Sequence, residues 1–320
     1  MLPTSTDLAA SLRRSLGPRD GAAVGVVTPE GSASAATVSD DAEFEIGSLS
    51  KGVTGLLHVD ARERGEVAPD ATLGDLLPID PGPVAALTLA SLSTRTSGLP
   101  RLPPATQPWR GTLALLRNGR NPYGETVDEL LEQTRGVTVG RPRPRYSNFG
   151  FALLGHAVAA ATDRRYPELV RDRLAEPLGL TSLTAPDEPD ALGPRALPGT
   201  SRLRRSREPW TGSGIAPAGG LRATLPDLLR LAAALLDGSA PGLAALDPVA
   251  DLGGPKVRVG AAWVVLEHRG RTVTWHNGMT GGFSSWLGLD RGAGTGVVVL
   301  RARSVPVDRY GFDLLAQVSS

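Results

Sequence analysis

The chain has 320 residues, 41% of them hydrophobic and 21% charged, with 34 basic residues against 33 acidic ones and no cysteine. That length suits two ordinary domains or one large one with a substantial core, and the composition excludes a disordered or collagen-like chain. A net charge of +1 provides no global field for nucleic acid or anionic lipid, and the missing cysteines exclude disulfide scaffolds, thiolate metal sites and a cysteine nucleophile.

The opening MLPTSTDLAASLRRSLG has no basic region followed by an apolar stretch, so no export signal is read there. The longest apolar run, FALLGHAVAAA at 151–161, is shorter than the roughly 20 residues needed to cross a bilayer and contains His156. These features predict a cytoplasmic protein with neither a membrane nor a nucleic acid as partner. Its oligomeric state is not readable from the sequence.

Residues 5–16 have the period of a short amphipathic helix. Two strand-like runs follow, 22–29 and 32–38, joined at Glu30-Gly31 as a hairpin. From about 48 to 245 the pattern is helical, with Thr126-Val-Asp-Glu129 and Thr224-Leu-Pro-Asp227 reading as capping boxes. Strand patterns return after 256 as VRVGAAWVVLEH, RTVTWHNG, FSSWLGLD and TGVVVLRA, and a last helix is expected near 307–318. Strands at both ends with helices between predict an α/β (α+β) fold. One antiparallel sheet, built from 1–50 and 255–320, carries flanking helices and an inserted, mostly helical domain over 51–254. The cleft between the two is the default site, and the Pro-rich stretch 99–109 is a candidate lid over it.

Several familiar signatures fail. GSLSKG at 47–52 has its lysine before the second glycine, which a phosphate loop does not, and G-x-S-x-G is absent. His58, His156, His268 and His276 have no metal-ligand spacing, so neither a metal nor any other cofactor is expected.

What remains is oxygen and nitrogen chemistry around Ser48-Leu-Ser-Lys51. Lys51 and Lys256 are the only lysines among 34 basic residues. Arginine serves wherever a positive charge suffices, and lysine differs in being able to lose its proton when buried. On a helix starting at Ser48, residues 48 and 51 lie one turn apart, with Cβ atoms roughly 5–6 Å from each other. A desolvated amine at 51 can then take the proton of a hydroxyl at 48, and the unpaired N–H groups of the helix start suit a developing oxyanion. The alternative is a capping serine beside a surface lysine. Tyr146-Ser-Asn148 opens a second apolar helix, where a phenol and an amide can reach such a pair across the cleft, the phenol as a proton shuttle in its tyrosinate form. A packed tyrosine and a capping asparagine are the plainer alternative. His276-Asn277-Gly278 ends a strand, and glycine at 278 permits close backbone approach, so that the Met279 N–H can serve as a second oxyanion donor.

In this order, Ser48-x-x-Lys51, Tyr146-x-Asn148 and His276-x-Gly278 resemble the three active-site motifs of the serine β-lactamase and penicillin-binding-protein superfamily. The likeness is nearest to class C β-lactamases, D-alanyl-D-alanine carboxypeptidases and related serine esterases and transesterases. Phe44-Glu-Ile-Gly-Ser48, Thr96-Ser-Gly-Leu-Pro100, Ser147-Asn-Phe-Gly-Phe-Ala-Leu-Leu-Gly155, Glu176-Pro-Leu-Gly-Leu180, Ala218-Gly-Gly-Leu-Arg222 and Gly281-Gly-Phe283 resemble family segments in family order, over most of the chain. The resemblance implies a serine hydrolase of esters or amides acting through an acyl-serine on a small-molecule or peptide-like acyl substrate. The alternatives are an acyltransferase that passes the acyl group to an amine or alcohol, and an inactive binding protein of the same fold.

Carried over, Ser48 is the nucleophile, Lys51 accepts its proton, and Tyr146 joins the relay and protonates the leaving group. Asn148, His276, Asn277 and Gly278 position substrate, and the N–H groups of Ser48 and Met279 form the oxyanion hole. Two departures stand out. His276-Asn-Gly278 replaces the usual Lys-Thr-Gly, which removes a fixed positive charge from the expected carboxylate site and predicts poor penicillin turnover. Ser93-Thr-Arg95-Thr-Ser-Gly98 replaces a segment that usually carries histidine where Arg95 stands, and no function attaches to that change. The arginine cluster at 141–145 reads as a solvated loop, with attraction of an anionic substrate as the alternative.

Overall fold

The computed structural model describes residues 2–17, 20–103, 119–254 and 256–319. Most of the stretch read as a lid, residues 104–109 with the tryptophan among them, lies outside these described residues.

Helix α1 (Ser5–Leu16) forms where the sequence places it because Thr4 caps it: the Thr4 hydroxyl accepts from Asp7 N at 3.1 Å, and the Asp7 carboxylate accepts from Thr4 N at 3.1 Å. The hairpin follows as β1 (Ala22–Thr28) and β2 (Gly31–Ala36). The C-terminal part supplies β3 (Ala250–Asp251), β4 (Val257–Val259), β5 (Val264–His268), β6 (Arg271–Met279), β7 (Ser284–Asp290) and β8 (Thr295–Arg301). These eight strands form one antiparallel sheet in the order β2-β1-β8-β7-β6-β5-β4-β3, so the N-terminal hairpin adds to the last strand, with Val24 opposite Val299 and Val26 opposite Val297. The sheet reaches back to Ala250, five residues before the expected 255 boundary, and the run 257–268 is two strands rather than one. Its break is a turn in which Gly260 N donates to Trp263 O at 2.9 Å and Ala262 takes φ +73°.

The period of two in β1 shows why nearly every residue there is apolar: both faces are covered. Ala22, Val24 and Val26 pack with Leu8, Leu12 and Leu16 of α1 and with Leu314, Leu315 and Val318 of the last helix, α5 (Asp308–Val318). Ala23 and Val27 face the other core, which includes Leu229 and Leu235 of α4 (Leu225–Asp237). Thus α4, although it lies within the stretch expected to belong to the helical part, packs on the sheet.

The helical region is organised on α2 (Ser50–Glu63) and α3 (Asn148–Ala161), both buried over most of their circumference. Helix α2 runs against the 260–263 turn at backbone distance. A Cβ on Gly55 would sit 2.1 Å from Ala261 O, so only glycine fits there. Among the described residues no helix is long and apolar enough to cross a membrane.

Candidate active site

Ser48 lies on a single 3-10 turn, Gly47–Leu49, that runs directly into α2, so the serine side chain and Lys51 are one turn apart as the spacing requires. Gly47 takes φ +51°, and a Cβ there would lie 2.7 Å from Met279 N. The end of β6 therefore abuts the residue before Ser48, bringing the Met279 backbone beside the turn. Two hydroxyls pin this turn: Ser285 Oγ donates to Ile46 O at 2.7 Å, and Ser50 Oγ donates to Gly47 O at 2.7 Å. The strand-like residues before it, Phe44–Glu45, pair with Arg222–Ala223, and a buried Glu45–Arg222 ion pair at 3.2 Å lies behind them. That is the structural purpose of the 44–48 and 218–222 segments.

Lys51 is fully buried. Its Nζ donates to Ser48 Oγ at 3.1 Å and to Ala218 O, and lies 4.7 Å from the Tyr146 ring centroid and 5.8 Å from that of Phe151. Burial, and then the charges of Arg95 and Arg101, push its pKa well down. The ammonium form is thereby disfavoured, in the direction of the neutral amine that a proton acceptor requires.

Tyr146 precedes α3, and its hydroxyl donates to Ser48 Oγ. Burial pushes its pKa up, outweighing the opposing effects of the Ser48 hydrogen bond and the Arg95 and Arg101 charges, so it is a neutral phenol at neutral pH. The tyrosinate considered from sequence is disfavoured here by that burial. Ser147, not Asn148, caps α3: its hydroxyl accepts from Gly150 N at 2.9 Å. Asn148 is buried, its Nδ2 donates to Tyr123 OH at 3.2 Å, and its Oδ1 has no partner among the described residues.

His276 is buried and faces this group, 6.4 Å from Trp263 ring to ring. Burial first, then Arg95 and Lys51, lower its pKa well below the usual histidine value. Asn277 does not join the site. Alternate residues of a strand face opposite sides, and Val273, Trp275 and Asn277 belong to the α5 face, where Asn277 Nδ2 donates to Asp308 Oδ1 at 2.6 Å. Its expected role in substrate positioning is corrected accordingly. Gly278 permits the contact between strand and turn, since a Cβ would lie 1.9 Å from Ile46 O.

The structure therefore brings Ser48, Lys51, Tyr146 and His276 together from a turn, a helix, a loop and a strand, with Asn148 buried two residues beyond Tyr146 and the Met279 backbone beside Gly47. Sequence reasoning missed Tyr123, which carries no motif, and the Ala218 carbonyl, a backbone atom that no side-chain pattern reveals. It also left Arg95 without a role, although its Nη2 lies 3.0 Å from His276 Nε2. Arg141, Arg143 and Arg145 are exposed, as a solvated loop requires.

The profile of the Beta-lactamase family matches residues 12–319. The chain belongs to the beta-lactamase family. It is 27% identical to "Penicillin-binding protein 4" of Amycolatopsis lactamdurans over 295 residues, covering 82% of this chain and 73% of that protein. It is 28% identical to "D-alanyl-D-alanine-carboxypeptidase/endopeptidase AmpH" of Escherichia coli strain K12 over 156 residues, 47% of this chain and 38% of that protein. In fold it is similar to a class C beta lactamase from Rhodobacter sphaeroides, with a TM-score of 0.79 at 22% identity, covering 98% of this chain and 99% of that one. It is likewise similar to a "Beta-Lactamase/D-Alanine Carboxypeptidase from Pseudomonas syringae", with a TM-score of 0.80 at 18% identity and 98% of both chains covered. The family is one of serine hydrolases, and the mixed fold with its large antiparallel sheet is that of the β-lactamase and transpeptidase neighbours.

Proposed function

We propose that this member of the family hydrolyses an ester or amide of a small-molecule or peptide-like acyl substrate through an acyl-Ser48 intermediate. The observation that carries the reading is the fully buried Lys51 amine, 3.1 Å from Ser48 Oγ, with the Tyr146 hydroxyl on the same oxygen. Ser48 Oγ attacks the carbonyl carbon as its proton passes to Lys51 Nζ. The carbonyl oxygen becomes an oxyanion held by the N–H groups of Ser48 and Met279. The bond to the leaving group then breaks, and that group departs with a proton delivered through Tyr146 from Lys51. Water attacks the acyl-serine by the reverse relay, releasing the acid and restoring the hydroxyl. Asn148, whose buried carbonyl oxygen has no partner among the described residues, would accept a hydrogen bond from a substrate amide.

The test is to treat native protein with a fluorophosphonate and weigh it intact. One adduct on wild type and none on Ser48→Ala is the expected result. Absence of an adduct on folded wild type, or an equal adduct on the variant, overturns the proposal and leaves a binding protein of this fold. An acyl acceptor that suppresses the acid product in favour of a transfer product would identify an acyltransferase instead.

A further inference from the structure

We infer that Arg95 is a positioning residue for this site, fixing His276 as a neutral hydrogen-bond acceptor and supplying the cationic field beside Lys51 and Tyr146. The inference rests on the proposed acyl-serine chemistry and adds a residue to it. Arg95 follows the short helix Leu89–Ser93 and takes φ +64°, a conformation that is unfavourable for a non-glycine residue. From there its Nη2 donates to Ala262 O at 2.7 Å and lies 3.0 Å from His276 Nε2. Guanidinium has only donors, so His276 Nε2 is the acceptor and the ring proton is on Nδ1. That assignment is satisfied locally, since His276 Nδ1 donates to Asn277 O at 2.7 Å.

The same guanidinium lies 5.4 Å from the Tyr146 ring centroid, with Arg101 at 5.6 Å. The titratable and charged groups facing Lys51 are thus Tyr146 from the loop before α3, Arg95 and Arg101 from the 94–101 segment and His276 from β6. Among the described residues neither arginine has a carboxylate within ion-pair distance, so their charge acts on the site unneutralised. The positive charge that the His276-Asn-Gly278 departure removes from β6 is therefore present in the cleft, brought by a different element. A nearby cation disfavours protonated Lys51 and favours ionised Tyr146. Removing it raises both pKa values, so the outcome has one sign whichever group accepts the Ser48 proton.

The experiment compares wild type, Arg95→Gln and Arg95→Lys by two readouts. The first is the pH profile of Ser48 labelling by the fluorophosphonate, and the second is the nitrogen chemical shifts of His276. Wild type should show a pyrrole-type Nδ1 and an imine-type Nε2 throughout the neutral range. Arg95→Gln should move the acid limb of labelling up by about one pH unit, a tenfold loss on that limb. Arg95→Lys should hold it within about half that shift, because charge is retained. A protonated Nε2 in wild type overturns the inference even if the variants do not fold. So does an unmoved acid limb in Arg95→Gln, or a lysine variant no better than glutamine. Failure of wild type to label at all refutes the acyl-serine proposal instead, so the two failures are distinguishable.

Discussion

The buried amine makes a prediction about stability that is independent of any substrate. In the native protein Lys51 is fully buried, and burial together with Arg95 and Arg101 holds its pKa well down. In the unfolded chain it returns to the ordinary lysine value near about 10.4. Between those two values the unfolded state binds a proton that the native state lacks, so the stability contributed by this residue rises with pH. This is opposite to a lysine that gains a carboxylate partner, whose contribution falls as pH rises. Replacing Lys51 with Met keeps an unbranched side chain of similar length and removes the titration.

The difference in unfolding free energy between wild type and Lys51→Met should therefore grow as pH rises from about 7.5 to 9.5, with a ceiling of about 1.4 kcal/mol per pH unit that is reached wherever the native amine is neutral and the unfolded lysine charged. The slope, not the offset, is diagnostic. The variant also strips the Ala218 carbonyl of its donor, a loss of about 1–3 kcal/mol that does not vary with pH. Burial lowers the pKa values of His58, to about 4, and of His156 and His276, so these rings act below the chosen window. Burial raises Tyr146 and Tyr166, which therefore act above it. Urea unfolding followed by circular dichroism at each pH measures the slope. A flat difference would mean that the native amine keeps its proton, and Lys51 could not then accept one from Ser48.

Two further substitutions probe the geometry. Gly47→Ala places a Cβ 2.7 Å from Met279 N at a φ of +51°, so it should cost about 1–3 kcal/mol in urea unfolding and slow Ser48 labelling by displacing the end of β6. Labelling at the wild-type rate would show that the contact between turn and strand does not set the oxyanion donors. Asn277→Ala should lose about 1–2 kcal/mol of stability with its hydrogen bond to Asp308, yet change labelling less than Asn148→Ala does; the reverse order of labelling rates would return Asn277 to the cleft.

The parts of the molecule legible from sequence are those decided within a few residues. The Thr126–Glu129 capping box, the Glu30-Gly31 turn and the unbroken apolar run of β1 each carry their own signal, and so does the one-turn spacing of Ser48 and Lys51. Legibility failed where a distant segment competes for a local partner. Thr224 caps α4 as expected, accepting from Asp227 N at 3.4 Å, but the Asp227 carboxylate turns to the Ser182 hydroxyl at 2.6 Å and never closes the capping box. His276-Asn277-Gly278 is a motif of spacing, and spacing does not say which alternate residue faces the cleft until the strand acquires its neighbours. Arg95 is the sharpest case. Its reach to His276 depends on its own positive φ, on the turn that presents Ala262 O, and on β6 lying across from both. A substitution that looks arbitrary along the chain thus gains meaning from its partner in space: histidine on the strand and arginine on the loop are one hydrogen-bonded unit, and changing either alone should leave the other without its place in the site.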